Sequence, residues 1–191
     1  MLIVTVPHAK KNDSTTQGYD AGAIEFVAYL EKALDDLNVK YIVHVGGNHR
    51  ELVDLNRKES YSTEYHQELR ALLKHATVHI DLHSFPYVLE DAEDEDSITT
   101  LGDDLRSWSV HDAVLLETDG VSNRDLINRI LDEMETQFDM SVVDSTVDNY
   151  ITVVASILFN VPSVLIEVND QSVEAYPLMA SALARSVADF A

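Results

Sequence analysis

Two hydrophobic periods alternate along this chain. The run LIVTVP (2–7) is short, apolar and rich in β-branched residues, which predicts a buried strand. From Asp20, DAGAIEFVAYLEKALDDL repeats its apolar positions with a helical period, and Asp20 stands where a helix N-cap belongs. VKYIVHV (39–45) predicts a second strand that ends at Gly46 and Gly47. STEYHQELRALLKHA (62–76) predicts a helix leading into TVHIDLHSF (77–85). Further strands are predicted at AVLLET (113–118) and VPSVLIEV (161–168). SNRDLINRILDEMETQF, NYITVVASILFN and SVEAYPLMASALARSVADF predict the remaining helices. Strands apolar on both faces, alternating with helices, imply an α/β fold with three layers: a mostly parallel central sheet covered by helices on both faces.

One strand breaks that rule. In TVHIDLHSF, Val78, Ile80 and Leu82 alternate with His79, Asp81 and His83, so three titratable side chains share one face. An edge strand with a wet face would explain this, and so would a site built on the strand.

Composition narrows the choice. The chain has 191 residues, 46% of them apolar, which suits a single domain spanning residues 1–191 with its own core. The formal net charge of −21 argues against nucleic acid or an anionic membrane as a partner. A high-salt habitat and an ordinary well-solvated surface account for that acidity equally well. The run EDAEDED (90–96) reads as a solvated loop. There are no cysteines, so disulfides and thiolate ligands are excluded, and any metal must be held by His, Asp or Glu. The opening apolar run is too short, and lacks the basic start, for a signal peptide. No stretch reaches the length of a membrane span, so a cytoplasmic location is the expectation.

In open α/β sheets, ligands bind beyond the carboxyl ends of the strands. His8 follows the first strand, Arg50 and DLNR (54–57) follow the second, His83 ends the third, and Glu167 lies near the end of VLIEV. This topology predicts that these distant residues converge along one rim.

Taken in order, VPHA, HRELVDLNR, IDLHSF and VLIEVND resemble the N-formylglutamate amidohydrolases, within the wider zinc carboxypeptidase and aspartoacylase-like fold. The resemblance runs from about residue 4 to about residue 170. It implies a phosphorylase/hydrolase-like fold of the zinc exopeptidase type. It also implies one Zn2+ per chain, or another divalent metal, held by His8, His83 and a carboxylate. Three such ligands would leave a fourth position open to water. The carboxypeptidases place that acid as H-x-x-E, where this chain has His8-Ala-Lys-Lys. The amidohydrolases place it at the start of the first helix, where Asp20 stands, with Asp13 and Glu25 as the alternatives.

By the same resemblance Glu167 is the catalytic acid and base, Arg50 stabilises the oxyanion, and Asn56 with Arg57 grips a substrate carboxylate. Asp81 would orient the imidazole of His8, as metal-bound histidines commonly give their other N–H to a carboxylate. His79 has no such counterpart and reads as structural. The implied activity is metal-dependent hydrolysis of an amide in a small anionic N-acyl amino acid. A carboxypeptidase-like action on a peptide with a free carboxylate, or an inactive binding module of the same fold, are the alternatives. The chain is short for an N-formylglutamate amidohydrolase, and PHAKK lacks the Ser-Gly expected after the first histidine, so the acyl group and amino acid stay open. DSTVDNYIT (144–152) is a candidate pocket wall or a helix-start loop.

Overall fold

A computed structural model describes residues 1–10, 19–50, 52–85, 111–118, 120–144 and 150–191. Asp13, the acidic run 90–96 and most of the stretch 144–152 lie outside them. Six strands form one sheet: β1 (Leu2–Val6), β2 (Tyr41–Val45), β3 (Val78–Phe85), β4 (Ala113–Glu117), β5 (Met140–Asp144) and β6 (Ser163–Asn169). Their spatial order is β2-β1-β3-β6-β4-β5. All neighbouring pairs are parallel except β4 against β6. Among the described residues the α-helices are α1 (Ala21–Asp36), α2 (Glu64–Leu73), α3 (Arg124–Met134), α4 (Tyr150–Val153) and α5 (Tyr176–Ala188).

The two faces of the sheet differ in chemistry because side chains alternate along each strand. One face carries Leu2, Val4 and Val6 of β1, Val78, Ile80 and Leu82 of β3, and Val164, Ile166 and Val168 of β6. Helices α1, α3 and α5 cover it. Ala23, Phe26, Val27, Leu30 and Leu34 of α1 recur every three or four residues, so one stripe of the helix is buried. Ala180, Ala182 and Ala184 on α5 are fully buried in the same core.

The opposite face is smaller and more polar. Ile3, Leu55, Tyr65, Leu69, Leu73, Ile151, Val154 and Ala155 pack there under α2 and α4. Thr5, His79, Asp81 and His83 project into this same side by strand alternation, and all four are buried. The titratable row on β3 therefore belongs to an interior strand rather than an edge. Parallel pairing with β1 and β6 closes both of its sides.

Two segments depart from the sequence expectation. β5 is an additional edge strand, paired only with β4. Its residues are half-buried or exposed, so MSVVD carries too little apolar signal to stand out. Where a continuous helix is expected over NYITVVASILFN, one α-helical turn widens into a π-helical turn at Val154–Leu158. Its β-branched run Ile151, Thr152, Val153, Val154 is weakly helix-forming.

A directional chain of hydrogen bonds runs through the buried polar row and engages one of the two Asp81 oxygens. Thr5 has one hydroxyl proton, and it goes to Asp81 Oδ1 at 2.7 Å. Thr5 Oγ1 then accepts from His79 Nε2 at 3.0 Å. That leaves Nδ1 of His79 bare, and it accepts from Ser163 Oγ at 2.6 Å. The chain demands a neutral imidazole. Burial lowers the pKa of His79 to about 4, against the opposing pull of the Asp81 charge.

His79 therefore refuses a proton that the unfolded chain accepts between about pH 6.5 and about pH 4. Its contribution to stability is complete above pH 6.5 and lost as pH falls through about 4. Glu167 titrates in the opposite sense over part of this range, so the test is a comparison. Urea unfolding of wild type and His79→Gln across pH 4 to 7 should show wild type losing about 3 kcal/mol relative to the variant on acidification. Parallel profiles would show that this imidazole is not held neutral.

Candidate metal centre

The site begins with how the chain leaves β1. After Val6 it turns through Pro7 and His8, and the backbone N–H of Asp20 donates to the carbonyl of His8 at 3.1 Å. This bond sets the start of α1 beside the first histidine. Gly46, just past β2, donates its N–H to the Val6 carbonyl at 2.9 Å. A β-carbon at Gly46 would run into the Pro7 carbonyl, so glycine is required for the two strand ends to lie this close.

Asp20 is buried and bridges the two histidines. Its Oδ2 lies 2.9 Å from His83 Nδ1 and 3.3 Å from His8 Nδ1. The imidazole centroids are 4.9 Å apart, edge to face. One potential ligand atom from each of His8, Asp20 and His83 falls within 4.8 Å of the others. All three side chains are buried.

The outer nitrogens of both rings meet further carboxylates. His8 Nε2 lies 3.0 Å from Asp54 Oδ1, and His83 Nε2 lies 3.4 Å from Asp81 Oδ2. The expected pairing of Asp81 with His8 is thus replaced. Strand register puts Asp81 on the same strand and face as His83, while the loop after β2 brings Asp54 to His8. That loop is anchored by Leu55, fully buried in the α2/α4 core. The Leu55 carbonyl accepts from His66 Nε2 at 2.7 Å and from Ser60 Oγ at 3.0 Å. With Leu55 fixed, Asp54 and Asn56 both reach the histidines.

Arg50 Nε and Arg57 Nε lie 3.5 Å and 3.7 Å from Asp54 Oδ2, and both guanidinium groups are partly open to solvent. Asn56 is nearly enclosed. Its Oδ1 accepts from the backbone N–H of Ile151 at 3.1 Å, and its Nδ2 sits 3.3 Å from His83 Nε2. Glu167 faces His83 across the β3/β6 register. Glu25 is exposed and does not join this group.

The electrostatics follow from burying several acids together. Burial alone would raise the pKa of Asp20, but hydrogen bonds and attraction from His8 and His83 hold it down at about 2. Asp54 is lowered further: burial again opposes, and His8, Arg50 and Arg57 prevail. Glu167 goes the other way. Burial pushes it up to about 7, with Asp20 and Asp81 adding to the rise and His83 and Arg50 resisting it. His83 is raised well above its ordinary value; burial opposes, but Asp81 and Asp20 outweigh it. Two imidazole nitrogens and a carboxylate oxygen, all facing one point and set among further acids, form a donor set suited to a divalent cation such as zinc.

No family model matches the sequence, and no curated protein matches it. Solved structures do match. An N-formylglutamate amidohydrolase from Ralstonia eutropha JMP134 aligns with a TM-score of 0.60 and 14% identity, over 99% of this chain and 93% of that one. An N-acetylmuramyl-L-alanine amidase from Mycobacterium smegmatis aligns at 0.55 and 14%, over 99% and 95%. A metallo-carboxypeptidase from Pseudomonas aeruginosa aligns at 0.59 and 10%, over 99% of this chain and 56% of that one. This chain has the amidohydrolase and metallo-carboxypeptidase fold. At these identities the likeness establishes architecture, and chemistry must be argued from the side chains.

Of the residues singled out from sequence, His8, Asp20, His83, Asp81 and Asn56 fall within one buried cluster, with Arg50 and Arg57 at its rim and Glu167 on the neighbouring strand. Asp54 is the participant that sequence reasoning left without a role. The available signal was turn chemistry: Asp54 opens a tight turn over 54–57, its carbonyl accepting from the Arg57 N–H at 3.2 Å and its Oδ1 from the Asn56 N–H at 2.9 Å.

Asp20 also provides a test of this geometry in metal-free protein. A carboxyl held at about 2 contributes stability that is complete above about pH 4 and lost as pH falls toward 2. Asp20→Asn should remove about 2 kcal/mol of that acid dependence between pH 4 and pH 2, measured by urea unfolding in chelator. An unchanged acid limb would mean that the carboxylate does not bridge the imidazoles.

Proposed function

We propose that this chain is a zinc-dependent amidohydrolase that cleaves the amide of a small N-acyl amino acid bearing a free carboxylate. The observation that carries this reading is the convergence of His8 Nδ1, His83 Nδ1 and Asp20 Oδ2. Zinc bound by three protein ligands supplies a Lewis acid and lowers the pKa of water toward ~7. Another divalent ion of similar preference would serve in the same place.

The chain's own residues would then divide the work. Asp54 accepts from Nε2 of His8, and Asp81 lies beside Nε2 of His83, which would steady each ring with Nδ1 directed at Asp20. Glu167, a carboxylate on β6 beside His83, would take a proton from the attacking water and return it to the departing amine nitrogen. Arg50 neutralises charge that develops on the carbonyl oxygen, an interaction whose loss costs on the order of 3 kcal/mol. Arg57 holds the substrate carboxylate through its planar guanidinium. Asn56 borders that position, and its amide must leave Ile151 or His83 to bind substrate directly.

The substrate class is supported by the fold neighbours. One is named for N-formylglutamate, and another, from Vibrio parahaemolyticus, for succinylglutamate. In a protein of net charge −21, a local arginine pair is what makes an anionic ligand acceptable. A cytoplasmic location and a single-domain chain complete the reading. Among the described residues, no helix is long and apolar enough to cross a membrane.

Protein purified without chelator should contain about one zinc per chain by elemental analysis, and His83→Ala should lose both metal and activity. A panel of N-formyl, N-acetyl and N-succinyl amino acids with short peptides would identify the acyl group. Turnover of the peptides alone would move the assignment to a carboxypeptidase-like enzyme. Bound zinc with no turnover of any would indicate a binding module. Glu167→Gln should retain zinc while kcat falls ~10²- to 10⁴-fold. Arg57→Ala should raise KM for anionic substrates far more than it lowers kcat. A fully active Glu167→Gln would place the base elsewhere.

A further inference from the structure

Asp20 occupies the residue before α1, where an aspartate ordinarily accepts hydrogen bonds from the helix's first backbone N–H groups. Here its side chain makes no such bond, because Oδ2 is turned to the two histidines. The Ala21 N–H donates to the Tyr19 carbonyl, and the Gly22 N–H still needs an acceptor. Asp170 provides one: its Oδ1 accepts from the backbone N–H of Gly22 at 3.0 Å, across 148 residues of sequence.

Asp170 is held in place by the strands that carry the rest of the site. It directly follows β6, three residues beyond Glu167, and its own N–H donates to the Phe85 carbonyl at the end of β3 at 3.0 Å. Tyr176, at the start of α5, donates to the neighbouring Asn169 carbonyl at 2.8 Å. Gly22 makes the approach possible. A methyl group there would overlap both Asp170 Oδ1 and the Tyr176 hydroxyl. Alanine would otherwise be the better helix former by about 1 kcal/mol, so glycine at this position is explained by the close approach of the acid.

We propose that Asp170 is a positioning residue that caps α1 in place of Asp20 and so leaves the Asp20 carboxylate free to serve the cation. The proposal rests on the assignment of Asp20 as a metal ligand. Two demands compete for one side chain at position 20, and a second acid, carried on the strand after Glu167, satisfies one of them. Without Asp170, the carboxylate closest in sequence to the Gly22 N–H is Asp20 itself, and capping then draws it away from His8 and His83.

The test has a metal arm and a metal-free arm. Zinc titration by calorimetry is run on wild type, Asp170→Ala, Asp170→Asn and Gly22→Ala, each confirmed to unfold cooperatively. Asp170→Ala and Gly22→Ala should weaken zinc binding about tenfold to a hundredfold, while Asp170→Asn, which keeps an oxygen acceptor, should stay close to wild type. In the metal-free arm, exchange of the Gly22 amide proton is followed by NMR. It should be unaffected in Asp20→Ala and much faster in Asp20→Ala/Asp170→Ala. Faster exchange in Asp20→Ala alone would show that Asp20 is the cap, and would overturn the proposal. So would zinc affinity unchanged in both Asp170→Ala and Gly22→Ala. Wild type that binds no zinc would instead overturn the metal assignment, a result distinct from either.

Discussion

A buried carboxylate shared by two imidazoles governs this structure. Taking an anion out of water is costly unless positive charge or donors replace the lost hydration. Asp20 meets that requirement through His8, in the turn after β1, and His83, on β3. Each histidine in turn is steadied by its own acid, Asp54 or Asp81. The arrangement multiplies negative charge around a small volume, and only part of it is offset by Arg50 and Arg57. A divalent cation at the meeting point of the Nδ1 atoms would balance what the side chains leave uncompensated.

The fold makes this affordable by separating the two faces of the sheet. Helices α1, α3 and α5 bury a large apolar core on one side. The opposite side holds a smaller core and a continuous polar row from Ser163 through His79 and Thr5 to Asp81. Each group in that row has a defined donor or acceptor role, so Asp81 arrives at His83 with one oxygen already committed. His66 performs a related task at a distance, tying the Leu55 carbonyl down so that Asp54 and Asn56 reach the histidines. Buried histidines are thus used twice over: two at the cluster's centre and others, kept neutral, as its supports.

Much of this was legible in the residues. The strong β-branched runs and the helical periods placed β1, β3, β4, β6 and the long helices, because burial on both faces leaves a clear pattern. β5 was not legible, since an edge strand with half-exposed residues has no comparable contrast. The histidines and Glu167 were legible from their positions at strand ends. Their partners were less so. Strand geometry keeps Asp81 beside His83 rather than His8, and Asp54 reaches His8 only through the turn that follows β2. Asp20 was visible both as a helix cap and as a ligand, and one sequence position cannot reveal which. Asp170 lies beside Gly22 only in the folded chain, and no local pattern reveals that contact.

The central claim is that three side chains meet at one cation. Crystals grown with equimolar zinc, measured on both sides of the zinc absorption edge, test it most directly. The account predicts one anomalous peak per chain within bonding distance of His8 Nδ1, His83 Nδ1 and an Asp20 oxygen. Zinc absent from that position, or bound elsewhere while the Asp20 carboxylate still bridges the two imidazoles, would contradict it.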